Sequence, residues 1–83
     1  MKPAEIKTIL IRALARKPQL NEAEALVVAQ SVFGPECTQL VIRQMLADMV
    51  DTGLITKNVD PDGVTPSNYE LTSHGQHRAQ QLG

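Results

Sequence analysis

Aromatic side chains are almost missing from this chain: Phe33 and Tyr69 are the only two among 83 residues, and there is no tryptophan. A stacking platform for single-stranded nucleic acid needs several such rings, so that mode of binding is disfavoured. Cysteine is scarcer still. Cys37 stands alone, which leaves no partner for an internal disulfide and suits a reducing cytoplasm. Long apolar runs are absent too, because Arg12 and Arg16 interrupt the first candidate; neither a signal peptide nor a membrane span is expected.

The residue combinations of catalysis are equally thin. There is no nucleophile–base pair, paired-carboxylate site, glycine-rich phosphate loop or zinc spacing, and a chain this short has little volume for a deep cleft. Asp60 and Asp62 alternate as in a calcium loop, but the twelfth position is Leu71 rather than glutamate. His74 and His77 stand three apart on a helix pattern without a third ligand. Cys37 beside Glu36 reads as a plain small residue rather than a thiol sensor. No enzyme activity, metal or cofactor is expected.

What is present is a soluble globular composition, 42% hydrophobic and 20% charged, consistent with one domain over residues 1–83. Net charge is −1, but it is unevenly spread: residues 1–17 carry +4 and the remainder −5. Such asymmetry points to different faces meeting different partners.

Hydrophobic spacing predicts the elements. Residues 3–17 form a first helix, with Pro3 at its start, Ile6, Ile9, Leu10, Ala13 and Leu14 on one buried stripe, and Pro18 as its stop. Ile11 lies off that stripe and is expected to pack beneath a terminal segment, a dimer contact being the alternative. A second helix opens on the capping pair Asn21 and Glu24 and ends at Gly34-Pro35. Its apolar set, Ala23, Leu26, Val27, Ala29, Val32 and Phe33, covers most of the circumference, which predicts the most buried helix. The short break before residue 37 implies a steep crossing to the third helix.

That third helix spans roughly residues 37–52 and is capped by Gly53. It places Val41, Ile42, Met45, Leu46 and Met49 inward, and Leu40, Arg43, Gln44, Ala47 and Asp51 outward. Thr38 and Gln39 lie at its exposed start. The period then changes. Residues 54–59 and 68–71 read as strands joined through the turn Asp60-Pro61-Asp62-Gly63. A last helix begins at Thr72-Ser73, with Ser73 and Gln76 as a capping box and Ala79 and Leu82 inward.

The fold class expected is mainly α with a two-stranded hairpin (α+β), in the order α-α-α-β-β-α. Two stretches carry a resemblance. Residues 46–55, Leu-Ala-Asp-Met-Val-Asp-Thr-Gly-Leu-Ile, resemble the end of the recognition helix in MarR- and PadR-type regulators. Residues 69–75, Tyr-Glu-Leu-Thr-Ser-His-Gly, resemble their second wing strand. The resemblance implies a winged helix-turn-helix with the third helix (about 38–51) in the DNA major groove and the 54–72 hairpin as wing.

Carried over on that basis, Thr38, Gln39, Leu40, Arg43 and Gln44 become the base-reading candidates and Lys57 a phosphate contact. Arginine suits guanine edges, glutamine suits adenine, and leucine or threonine methyls suit thymine. Lys7, Arg12 and Arg16 are candidate further phosphate contacts, because phosphates dominate affinity and most positive charge is on the first helix. Double-stranded DNA is the expected partner and transcriptional regulation the expected role. The alternative is a protein-interaction module, suggested by the acidic tip (Asp60, Asp62), the single cation of the third helix and the outward Leu40 and Ile11. Without the long terminal helices of MarR and PadR proteins, the expected state is a monomer or weak homodimer, cytoplasmic and away from membranes.

Overall fold

A computed structural model describes residues 2–82. Helix α1 (Pro3–Arg16) leads through the two-residue strand β1 (Leu20–Asn21) into α2 (Glu22–Phe33). A 3-10 turn (Gly34–Glu36) then turns the chain into α3 (Gln39–Asp51). Strands β2 (Ile55–Asn58) and β3 (Asn68–Leu71) form the hairpin, and α4 (Ser73–Leu82) follows. Beyond the expected hairpin there is a third strand. β3 is central in an antiparallel sheet of order β1-β3-β2, with Tyr69 opposite both Leu20 and Lys57. Pro18 and the Asn21 cap leave Leu20 extended between two helices, where it pairs with the free edge of β3.

The core is one cluster drawn from α1, α2, α3 and the sheet, with Ala79 and Leu82 of α4 packed against it half-buried. Ile6, Leu10, Ile11 and Leu14 of α1 meet Ile42, Leu46 and Met49 of α3, with Leu20, Ile55, Tyr69 and Cys37 sealing its edges. Val41 and Met45 pack against it half-buried, and the outward set of α3 is exposed as its spacing predicts. Ile11 is buried, 2% exposed, and lies beside residues of α4 at the floor of a groove. α1 is packed both by α2 and α3 and by α4, so its buried arc is wider than one stripe, while Ile9 falls to the half-buried margin.

The second helix corrects the expectation most. Only Ala25 and Ala29 are buried in α2, whereas Val27 is 66% and Val32 is 55% exposed. The two alanines lie one turn apart and give α2 a small-residue face against its neighbours. Among the described residues no second layer covers the opposite side. Cys37, expected to open α3, precedes it as a buried residue, and the Thr38 hydroxyl caps the helix by accepting from the Val41 N–H at 3.3 Å.

Two junctions set the wing on α3. The end of α3 is a Schellman motif: the Leu54 N–H reaches the Met49 carbonyl at 3.0 Å and the Gly53 N–H the Val50 carbonyl at 3.0 Å, with Gly53 at φ +79°. At the start of α4 the cap is Thr72, not Ser73. Its hydroxyl accepts from the Gly75 N–H at 3.1 Å and donates back to the carbonyls of Gly53 and Leu54. Thr72 thus ties the α4 start to the α3 end, which a Ser73 cap one residue later would not do.

Candidate nucleic-acid interface

The N-terminal turns of α3 cross beside the first turn of α2, as the contacts of Gln39 and Arg43 with Glu22 show. Gln39 and Arg43, four residues apart on α3, therefore stand on one face next to Glu22, the first residue of α2. A single oxygen, Glu22 Oε1, accepts from Gln39 Nε2 at 3.1 Å and Arg43 Nε at 3.2 Å, and pairs with Arg43 Nη2 at 3.1 Å. The Arg43 side chain remains 63% exposed and that of Glu22 29%. Exposed pairs of this kind contribute only about 0.2–1 kcal/mol; what the contact fixes is geometry.

Leu40, 61% exposed, and Gln44 continue the same outward surface. Lys57 stands on the Tyr69 side of the hairpin and, with Asn21, Glu22, Gln39, Ser67 and Tyr69, lines a shallow groove of about 330 Å³ between α2, α3 and the wing base. Burial raises the Tyr69 phenol above its ordinary pKa, the Glu22 carboxylate adds to this, and Arg43 opposes it. Thr38, Gln39, Leu40, Arg43 and Gln44 are thus exposed at the start of α3, with Thr38 also acting as helix cap, and Lys57 shares a groove with Gln39.

Lys7 and Arg12 do not join this surface. Lys7 pairs with Asp48 towards the far end of α3 and, with Lys2, His74 and Arg78, lines a separate groove of about 710 Å³ floored by Ile11, Leu54 and Leu82. Arg12 Nη2 donates to the Leu82 carbonyl at 3.3 Å, beside α4. Arg16 is exposed in the last turn of α1, and neighbouring Lys17 pairs with Glu24. Asp48 follows Arg43 on α3 by roughly 7.5 Å along the axis, so Lys7 meets the second half of the helix and Arg43 belongs to the first.

The wing tip is acidic and self-satisfied. The Gly63 N–H closes the turn on the Asp60 carbonyl at 3.3 Å. Asp62 accepts from the Thr65 hydroxyl at 2.6 Å and from the Thr65 and Val64 N–H groups at 2.9 and 2.8 Å. These bonds, the Thr65 hydroxyl foremost, hold its carboxyl at a pKa of about 2. Among the described residues no group of three or more His, Cys, Asp or Glu could hold a metal. Nor is any helix there long and apolar enough to cross a membrane. Burial pushes the Cys37 thiol above its ordinary pKa.

Glu22 is the residue of this surface that the sequence alone does not reveal. It reads there as a helix-opening acid, and its partners are 17 and 21 positions away.

No protein-family model matches the sequence, and no curated protein is significantly similar to it. Solved structures do match. The PcaV transcriptional regulator of Streptomyces coelicolor superposes with a TM-score of 0.74 at 23% identity, covering 94% of this chain and 53% of its own. A cysteine-to-serine mutant of MarR from E. coli, complexed with operator DNA, gives 0.71 at 14%, covering 92% and 50%. A winged-helix DNA-binding protein from STIV gives 0.73 at 15%, covering 99% and 86%. The chain thus spans about half the length of the two regulators. At these identities the likeness speaks for architecture alone, and with the helix order, the central β3 and the α3–wing junction it identifies the chain as a winged helix-turn-helix.

Proposed function

We propose that this chain is a double-stranded DNA-binding transcriptional regulator, without enzymatic activity or cofactor, that presents the start of α3 to the major groove. The observation that carries this is the pairing of Gln39 and Arg43 on one exposed turn of α3, with Lys57 at the adjoining wing base. These are the side chains that read purine edges bidentately, with a cation placed for a flanking phosphate. Transcriptional regulators among the structural neighbours, one of them solved with operator DNA, support the same role. Lys7 and Arg12 are engaged away from this surface and take no part in the docking proposed, while the exposed Arg16 is a candidate further phosphate contact. The protein acts in the cytoplasm as a monomer or weak homodimer.

The test is a titration with random-sequence duplex DNA and with a duplex selected from that pool, at low and moderate salt. Affinity is expected to fall as salt rises, and Arg43→Ala to lower the preference for the selected duplex roughly tenfold. Absence of binding to any duplex, or binding indifferent to salt, overturns the proposal.

A second reading, docking of a protein partner, draws on Leu40 and on the exposed Val59 and Val64 beside the acidic turn. It predicts a stoichiometric partner lost in Leu40→Asp but retained at moderate salt. A complex broken by salt and unaffected by Leu40→Asp counts against it.

A further inference from the structure

We infer that Glu22 is a positioning residue for base recognition: it holds Gln39 and Arg43 in their reading geometry and lowers affinity for non-target DNA. The inference rests on the DNA-binding role proposed above. Its basis is which donors the carboxylate engages and which it leaves free.

A guanidinium carries five N–H donors in a planar fork. Glu22 Oε1 accepts the Nε–H of Arg43 and lies 3.1 Å from its Nη2, beside the inner edge of that fork. The outer edge, formed by Nη1 and the second Nη2–H, stays unengaged by this contact. That edge is the pair needed to donate to O6 and N7 of guanine. Gln39 is held in the same manner. One of its two amide N–H groups goes to Glu22, leaving the other N–H and the amide oxygen, the complement required by N7 and N6 of adenine. One carboxylate thus engages both side chains while leaving each with further hydrogen-bonding groups outside this contact. With 29% of its own side chain exposed, Glu22 is itself restrained by the α2–α3 junction.

Charge adds a second effect. On non-target DNA an unbraced arginine swings to the nearest phosphate, since phosphate contacts carry sequence-independent affinity. Glu22 opposes this by competing for the guanidinium and by repelling the backbone. It also occupies the first turn of α2, with Glu24 two residues on, where a helix N-terminus would otherwise favour phosphate.

The experiment uses Glu22→Ala and Glu22→Gln, each alone and in an Arg43→Ala background, against the random-sequence duplex and a duplex selected from it. Glu22→Ala is expected to bind the random duplex about twofold more tightly and to lose about threefold in selectivity. Glu22→Gln, which keeps an acceptor and loses the charge, should retain part of that selectivity. Neither change should alter selectivity once Arg43 is alanine. In the free protein, the Arg43 Nε–H signal should exchange slowly with solvent and lose that protection in Glu22→Ala. Unchanged selectivity in both Glu22 variants, where Arg43→Ala does reduce it, overturns the inference and leaves the α3 assignment standing. Should Arg43→Ala change nothing either, the α3 assignment itself falls and this one with it. If Glu22→Ala fails to fold, Glu22→Gln and the exchange measurement decide the matter.

Discussion

Gly75 shows how one residue without a side chain governs a junction. It is buried in the first turn of α4, and a Cβ built there would stand 2.0 Å from the Leu54 carbonyl oxygen and 2.9 Å from the Leu71 side chain. The nearest obstacle is backbone held by the Schellman end of α3 and by Thr72, so it has little room to yield. Gly75→Ala is therefore expected to destabilise the fold by about 3 kcal/mol, despite the better helix propensity of alanine, and thermal or denaturant unfolding measures it. An unchanged midpoint would show that α4 shifts freely on the wing. From sequence this glycine is legible as part of a motif, but its reason, contact with a carbonyl 21 positions earlier, is not. Glu22 is similar: its residue type suits a helix start, and its two partners on α3 become visible only when α2 and α3 are placed.

The wing, as an element, couples its order to pH through one carboxylate. Asp62 binds the Thr65 hydroxyl and two backbone N–H groups, which brings its pKa down from an ordinary 3.8 to about 2. A depressed carboxylate favours the ordered turn above its unfolded pKa, and that contribution is lost as pH falls through the folded one. The turn at residues 60–65 is thus expected to stay ordered from neutral pH to about 4 and to loosen between about 4 and 2. Amide exchange at Val64 and Thr65 follows this; loosening already near pH 5 would contradict it. Asp62→Asn should remove the pH dependence. The turn itself is readable from Asp60-Pro61-Asp62-Gly63, because each residue acts locally there. α2 is the contrasting element. Its apolar circumference suggested deep burial, but composition does not say how many layers a fold has, and Val27 and Val32 remain outside.

For the whole molecule, the distribution of charge outweighs its total. Lys2, Lys7, His74 and Arg78 gather around one groove, whereas the α3–wing surface has Arg43 and Lys57 as its cations. With so few phosphates neutralised per chain, the logarithm of DNA affinity should fall against the logarithm of salt with a slope of only about −2. A slope steeper than about −4 would place Lys7 and Arg12 on DNA after all, in a docking mode other than the one proposed. Anisotropy titrations over a salt series distinguish the two.

Helix spacing, caps and the change of hydrophobic period determined four helices, a hairpin and the inward and outward faces of α3 from the sequence alone. Those signals act within a few residues: Pro18 and Gly53 stop helices, Asn21 starts one, and Ile42, Leu46 and Met49 repeat along a single face. Tertiary structure decided whatever depends on residues distant in the chain. It added β1 to the hairpin, buried Ile11 beside α4 and left half of α2 uncovered. It also divided the positive charge, holding Lys7 and Arg12 in contacts away from the start of α3. The physical reason is the same in each case: hydrogen-bonding and packing partners twenty to seventy positions apart in sequence become neighbours only once the helices are packed.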